Sequence, residues 1–258
     1  MQNHPPNLKP LSTPRANRVP LFSRFEVFAL IIGTVIAFFM SQLIGVYVAG
    51  KWLLPATKSS NVGDIFFFGS SNGTIVSLSI MISLALLSVL TVSIIRIKKG
   101  RVRQYLALRP FSLATGLGMF GLLLLFMIGS QLLTYWLGKS PSVFVNPLYA
   151  SVSSVWLLVA AMVVVAPIYE ELVFRGILWS AIAEQFSAPR GAIVASFLTS
   201  VIFAVIHLQY GLYEISTIVV LALIFCYARI KSGSLLLPIL LHIINNGIAM
   251  WQYLAQVG

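Results

Sequence analysis

The chain has 258 residues, of which 59% are hydrophobic and only 9% are charged, and its mean hydropathy is +0.95. Because about a quarter of the residues in a soluble domain are charged, this composition excludes an ordinary soluble domain and indicates an integral membrane protein. The net charge of +11 comes mainly from lysines and arginines beside apolar segments, a distribution that orients membrane proteins and does not indicate a nucleic-acid partner.

The amino-terminal residues 1–24 contain five prolines and no apolar periodicity. Such a segment buries too little surface to offset its ordering entropy, so we predict a disordered basic tail followed by an integral membrane domain over 25–258. Apolar runs long enough for a bilayer core of about 30 Å predict helices at 26–49, 74–96, 112–137, 152–186, 191–208, 213–230 and 234–256.

The fourth predicted helix is too long for a simple crossing. About 35 helical residues would extend roughly 52 Å, so this helix either tilts and protrudes or breaks near Pro167 into two helices. The sequence therefore predicts an all-α fold, a polytopic bundle with about seven to eight transmembrane segments.

The distribution of basic residues predicts the orientation of the bundle. With a cytoplasmic amino terminus, 13 lysines and arginines lie inside and only Lys51, Lys58 and Lys139 lie outside, while Arg175 falls within a span. This asymmetry follows the positive-inside rule. We expect a multi-pass protein of the cytoplasmic membrane, surrounded by lipid.

The stretch `EELVFR` places two glutamates and an arginine inside an apolar run, where ionisable groups are rare. Glu171 and Arg175 are four residues apart on one helix face, so they can form an ion pair. Glu170 points about 100° away, without a local partner. An unpaired, partly desolvated carboxylate can act as a general base near neutral pH.

Two further apolar helices each carry a histidine four residues away from a side chain that can contact it. Phe203 and His207 are four residues apart in `FAVIH`, so the phenyl ring can restrict the imidazole. His242 and Asn246 in `HIINN` bring an imidazole and a carboxamide to one helix face. Each histidine alone is more often a helix-bridging residue, but their combination with the glutamates favours a catalytic site.

The pieces `EELVFR`, `FAVIH` and `HIINN` resemble the three motifs of the CPBP intramembrane proteases, the Abi or CAAX amino-terminal protease superfamily that includes the Ras-converting CAAX endopeptidase. The resemblance covers about residues 150–250, the expected catalytic core. It implies that Glu170 and His207 activate water and that His242 and Asn246 stabilise the oxyanion. Glu171, Arg175 and Phe203 would support them.

The resemblance leaves the cofactor open. Glu170, His207 and His242 could hold Zn²⁺ or another divalent metal, with water as the fourth ligand. Against zinc, the sequence lacks an H-E-x-x-H pair, and a metal-free mechanism needs the same residues.

The sequence also leaves rival functions open. The expected activity is an endopeptidase acting on a peptide or a membrane-protein substrate. The first rival is a non-catalytic immunity or scaffold protein of the same fold. The second rival is a proton-coupled transporter, but the sequence lacks the internal repeat that many transporters have. The oligomeric state is not predicted.

Overall fold

The computed structural model describes residues 19–139 and 145–257. Most of the predicted disordered tail, residues 1–18, lies outside the described residues. The helices, numbered in chain order, are α1 (Arg24–Leu53), α2 (Val62–Gly69), α3 (Gly73–Ile97), α4 (Val102–Tyr105), α5 (Leu113–Trp136), α6 (Val145–Ser151), α7 (Val155–Ala183), α8 (Arg190–Val205), α9 (Leu212–Ser232) and α10 (Leu236–Val257).

The predicted polytopic helical bundle is confirmed, and all seven predicted helices are present with ends shifted by a few residues. Within the described ranges, five helices are long and apolar enough to cross a membrane, namely α1, α3, α5, α7 and α9. Helix α8 has only 16 residues. Helix α10 has 22 residues but is less apolar, because it carries His242, Asn245 and Asn246.

Helix α7 continues through Pro167 over 29 residues, so the break that the sequence left open does not occur. Two π-helical segments, Ala160–Val165 and Leu172–Leu178, flank the short α-helical segment Ala166–Glu171. Proline removes one backbone hydrogen bond and crowds the carbonyl four residues earlier. The wider π turn before Pro167 gives that carbonyl room, which explains the unbroken helix.

Helices α1 and α3 pack closely against each other and against α7. A methyl group added at Gly45 of α1 would lie 2.7 Å from the Cα atom of Ser79 on α3, so the two helices touch where Gly45 has no side chain. Phe38 of α1 packs its ring against Phe174 of α7, with ring centroids 5.9 Å apart. The amino-terminal half of the chain thus supports the helix that carries `EELVFR`.

The chain before α1 is held at one end of the bundle. The Leu21 backbone N–H donates to Glu184 Oε2 at 3.1 Å, and Phe22 is buried with 3% exposure. Burial and the Glu184 carboxylate raise the pKa of the Tyr105 phenol, which therefore stays protonated and donates to the same oxygen at 3.4 Å. Lys98, just after α3, pairs with Glu26 of α1 at 2.8 Å.

These contacts gather the start of α1 and the ends of α3, α7 and α9 at one end of the bundle, which we call the basic end. The described basic residues there are Arg24, Arg96, Lys98, Lys99, Arg101, Arg103, Arg109, Arg190, Arg229 and Lys231. The described basic residues of the opposite end are Lys51, Lys58 and Lys139. The fold therefore separates the charges as the sequence predicted, without itself fixing which end faces the cytoplasm.

Candidate active site

Glu171 and Arg175 form the ion pair that their spacing predicts. Arg175 Nη1 donates to Glu171 Oε1 at 2.7 Å, and both side chains are fully buried. The guanidinium carbon also lies 4.4 Å from the Phe203 ring centroid, and Nη2 donates to the Ala222 carbonyl at 3.3 Å. The pair thus joins α7 to α8 and α9 inside the bundle.

His242 lies between the two glutamates. Its Nδ1 is 2.9 Å from Glu171 Oε1, within hydrogen-bond distance, and its Nε2 is 3.7 Å from Glu170 Oε2. The Phe225 ring stacks on the imidazole with ring centroids 4.8 Å apart. The sequence predicted the pairing of Glu171 with Arg175 but not this second partner, because α10 meets α7 only through the tertiary fold.

Glu170 is separated from the ion pair, as the helix geometry predicts. It is buried with 8% exposure, and His242 Nε2 is its nearest charged neighbour among the described ion pairs. A separation of 3.7 Å is too long for a direct hydrogen bond. One water beside these two atoms can lie within hydrogen-bond distance of both.

His207 follows the last turn of α8 and is fixed through its Nδ1 atom. Nδ1 lies 2.7 Å from the Phe203 carbonyl oxygen, an acceptor, so it carries the proton and donates. The Phe203 ring packs edge-on against the imidazole at 4.8 Å, as its spacing predicts. In a neutral ring with its proton on Nδ1, Nε2 of His207 is the atom that can accept a hydrogen bond.

Asn246 lies one turn after His242 and contacts the first π segment of α7. Its Nδ2 donates to the Met162 carbonyl at 3.0 Å, while its Oδ1 accepts from Asn245 at 3.1 Å. Because an amide nitrogen carries two hydrogens, one N–H of Asn246 remains for another acceptor. π segments occur frequently at functional sites, and here one supplies the carbonyl that orients Asn246.

A polar contact behind the site was not predicted from the sequence. Gln42 Nε2 of α1 donates to the Tyr169 hydroxyl at 2.9 Å, and Ser79 of α3 contacts the Gln42 carboxamide at 3.4 Å. Tyr169 precedes Glu170 and is fully buried. The sequence did contain a signal for this contact: Gln42 lies within an apolar helix, and polar residues at membrane depth usually have a hydrogen-bonding partner.

The predicted metal ligands do not form a preassembled site. A metal held by Glu170, His207 and His242 would require three donor atoms about 2 Å from one point. Across residues 19–139 and 145–257, no group of three or more histidine, cysteine, aspartate or glutamate side chains has an arrangement that could hold a metal ion.

Comparison with known proteins shows that the segment carrying this site is similar to a described family. Residues 152–248, which contain all the predicted site residues, match the family model of the type II CAAX prenyl endopeptidase Rce1-like proteins. This segment is similar to the Rce1-like family. The resemblance that the three motifs indicated is confirmed, and the Rce1-like segment includes α7, α8, α9 and the part of α10 that carries His242 and Asn246.

A curated relative adds to this comparison. The chain is 32% identical over 127 residues to an uncharacterized 24.3 kDa protein of Escherichia coli. The alignment covers 48% of this chain and 58% of the relative, so it spans little more than half of the length of that protein. No solved structure matches the chain.

Proposed function

We propose that this protein is an intramembrane endopeptidase that hydrolyses a peptide bond inside or next to the membrane with water activated by Glu170 and His207. One observation carries the proposal: His242 lies 2.9 Å from Glu171 and 3.7 Å from Glu170, so the glutamates and the imidazole form one buried cluster. A cluster that served only as a bridge between helices would not need the second carboxylate. The Rce1-like match supports the same reaction class.

In the proposed reaction, Glu170 takes a proton from water, and the resulting hydroxide attacks the carbonyl carbon of the substrate. Glu170 is suited to this step because Arg175 neutralises Glu171 and not Glu170. His207, whose Nδ1 donates to Phe203, accepts a hydrogen bond from the water at Nε2 and so orients it. Glu170 then passes the proton that it took from water to the leaving amine.

The negative charge that develops on the substrate oxygen needs donors in a site poor in water. His242, with Nδ1 donating to Glu171, presents a second N–H at Nε2 when the ring is protonated. The free N–H of Asn246 is the other donor. With the ring protonated, two carboxylates are balanced by one guanidinium and one imidazolium, which makes this buried cluster neutral.

The proposed substrate is a peptide or a segment of a membrane protein, reached from the bilayer. The proposed location is the cytoplasmic membrane, with the basic end and the amino terminus on the cytoplasmic side. The positive-inside rule supports this orientation, because the basic end carries most of the described lysines and arginines.

The test compares the purified protein with Glu170→Gln on a library of peptides and prenyl-peptides. We expect cleavage by the wild type and a loss of at least about 100-fold in the variant, because general-base catalysis contributes about 10²–10⁴-fold. Glu214→Gln, an acidic residue in the first turn of α9, is the matched control and should retain activity.

Unchanged cleavage by Glu170→Gln, with a thermal unfolding temperature equal to that of the wild type, would contradict the mechanism. Partner binding that survives the substitution, in the absence of any cleavage, would instead indicate a scaffold or immunity protein.

A further inference from the structure

Two arginines lie near the carboxyl end of α9, at the basic end of the bundle. Arg229 lies in the last turn of α9, and Arg109 lies in the loop before α5. Arg109 Nε donates to the carbonyl of Gly233, four residues after Arg229, at 2.6 Å. Gly233 has a positive φ of 61°, and the Arg109 guanidinium occupies the space that a side chain there would need. The Arg109 side chain therefore contacts the carboxyl end of α9 one turn beyond Arg229.

Arg229 is almost buried, yet most of its donors are unused. Only 7% of the residue is exposed. Its Nε donates to the Arg175 carbonyl at 3.3 Å, and its guanidinium carbon lies 5.3 Å from the Trp179 ring centroid. Within the part of the chain that the structure describes, its two Nη atoms donate to no protein acceptor, and neither atom is sealed from the surface.

Within residues 19–139 and 145–257, no carboxylate forms an ion pair with either of these two charges. The chain has six acidic residues, and the described ion pairs use Glu26, Glu170 and Glu171 with other partners. The carboxyl end of α9 supplies about half a negative charge, against two full positive charges. A nearly buried charge without a counter-ion is costly, and an anion bound from outside the described chain would lower that cost.

We propose that Arg109 and Arg229 bind a phosphate group, supplied by the headgroup of an anionic membrane lipid or by a soluble phosphate. The planar guanidinium fork matches phosphate oxygens and holds them through two parallel N–H bonds. The site lies where the apolar helices α7 and α9 end, the level at which basic pockets between helices bind lipid headgroups.

This phosphate site connects to the buried cluster through the backbone of α7. Arg229 Nε donates to the carbonyl of Arg175, and the Arg175 side chain holds Glu171. An anion that fixes Arg229 therefore fixes the turn of α7 on which the ion pair depends. The phosphate site itself does not rest on the proposed protease activity.

The test measures dissociation constants for two probes with the purified full chain in a neutral detergent. The first probe is phosphatidylglycerol, with phosphatidylcholine as its uncharged reference. The second probe is inorganic phosphate, with chloride at equal ionic strength as its reference. Native mass spectrometry follows the lipid, and the shift of the unfolding temperature follows both probes.

Arg109→Gln is the main variant, because Arg109 is exposed and its loss leaves the helices intact. We expect it to weaken binding about tenfold, the effect of losing one charge-assisted hydrogen-bonding group. Lys231→Gln is the matched control: it removes the same charge from the last turn of α9, where Lys231 lies over the Tyr227 ring instead. Binding by this control should change less than about twofold.

Each outcome decides the proposal. Arginine-dependent binding of phosphatidylglycerol alone assigns the phosphate to a lipid, and arginine-dependent binding of both probes assigns the site to the phosphate group from either source. Binding that Arg109→Gln and Lys231→Gln weaken equally would reflect net charge only and would overturn the proposal. Failure of both probes to bind the wild type would overturn it as well.

Discussion

Substitution of Arg175 by methionine tests whether the buried pair on α7 holds the site together. Arg175→Met keeps an unbranched side chain of similar length but removes the charge that neutralises Glu171. The carboxylate then remains fully buried, with His242 at 2.9 Å as its remaining partner. The substitution also removes the guanidinium from the face of the Phe203 ring, 4.4 Å from the ring centroid.

The expected loss of stability follows from these contacts. Breaking a buried ion pair by removing one partner costs about 3–5 kcal/mol. Lost cation–π contact adds about 1 kcal/mol. The remaining contact of Glu171 with His242 offsets part of this cost, so we expect a net loss of about 3 kcal/mol. For a chain of this size, that corresponds to an unfolding temperature lower by about 6–12 °C.

The assay is thermal unfolding of the purified variants in one detergent. Arg190→Met is the matched control, because Arg190 is exposed at the start of α8 and lies over the Phe186 ring. The double variant Glu171→Gln with Arg175→Met should recover at least half of the loss, since it also removes the unpaired charge. The reasoning is refuted if Arg175→Met unfolds within about 2 °C of the wild type, or if the double variant recovers nothing.

Three further predictions concern catalysis, packing and metal dependence. Asn246→Ala should lower peptide cleavage about 100-fold through loss of an oxyanion donor, and Asn245→Ala should lower it less than tenfold; equal effects would contradict this role. Gly45→Ala should lower the free energy of unfolding by about 1–3 kcal/mol, because its methyl group would lie 2.7 Å from Ser79 Cα. Gly33→Ala is the control: open space surrounds Gly33, so this substitution should not destabilise the protein in the same thermal unfolding assay. Cleavage should persist after incubation with EDTA, and a loss of activity that Zn²⁺ restores would contradict the metal-free mechanism.

Much of the candidate site could be predicted because its key contact is local. The Glu171 and Arg175 ion pair needs only four residues of helix, and the contact between Phe203 and His207 has the same spacing. Neither contact depends on how the helices assemble. The separation of Glu170 from the ion pair follows from the same helical periodicity.

Other parts of the site could not be predicted, because they join residues far apart in the chain. The contact of His242 with Glu171 spans 71 residues, and that of Gln42 with Tyr169 spans 127. The position of His242 along the bundle axis, relative to the glutamates, depends on how α7 and α10 pack. Helix lengths alone do not determine this position.

Composition and periodicity by themselves determined that this is a helical membrane protein with a buried, charged site. In lipid, an apolar segment must form the hydrogen bonds of its backbone internally, and few structures besides a helix achieve this. The positions of the helices could therefore be predicted from the sequence. Only the tertiary structure decided the path of α7, where two π segments keep the helix continuous past Pro167. It also decided that Arg109, in the loop before α5, contacts Gly233 at the end of α9, because these residues are 124 positions apart and only packing brings them together.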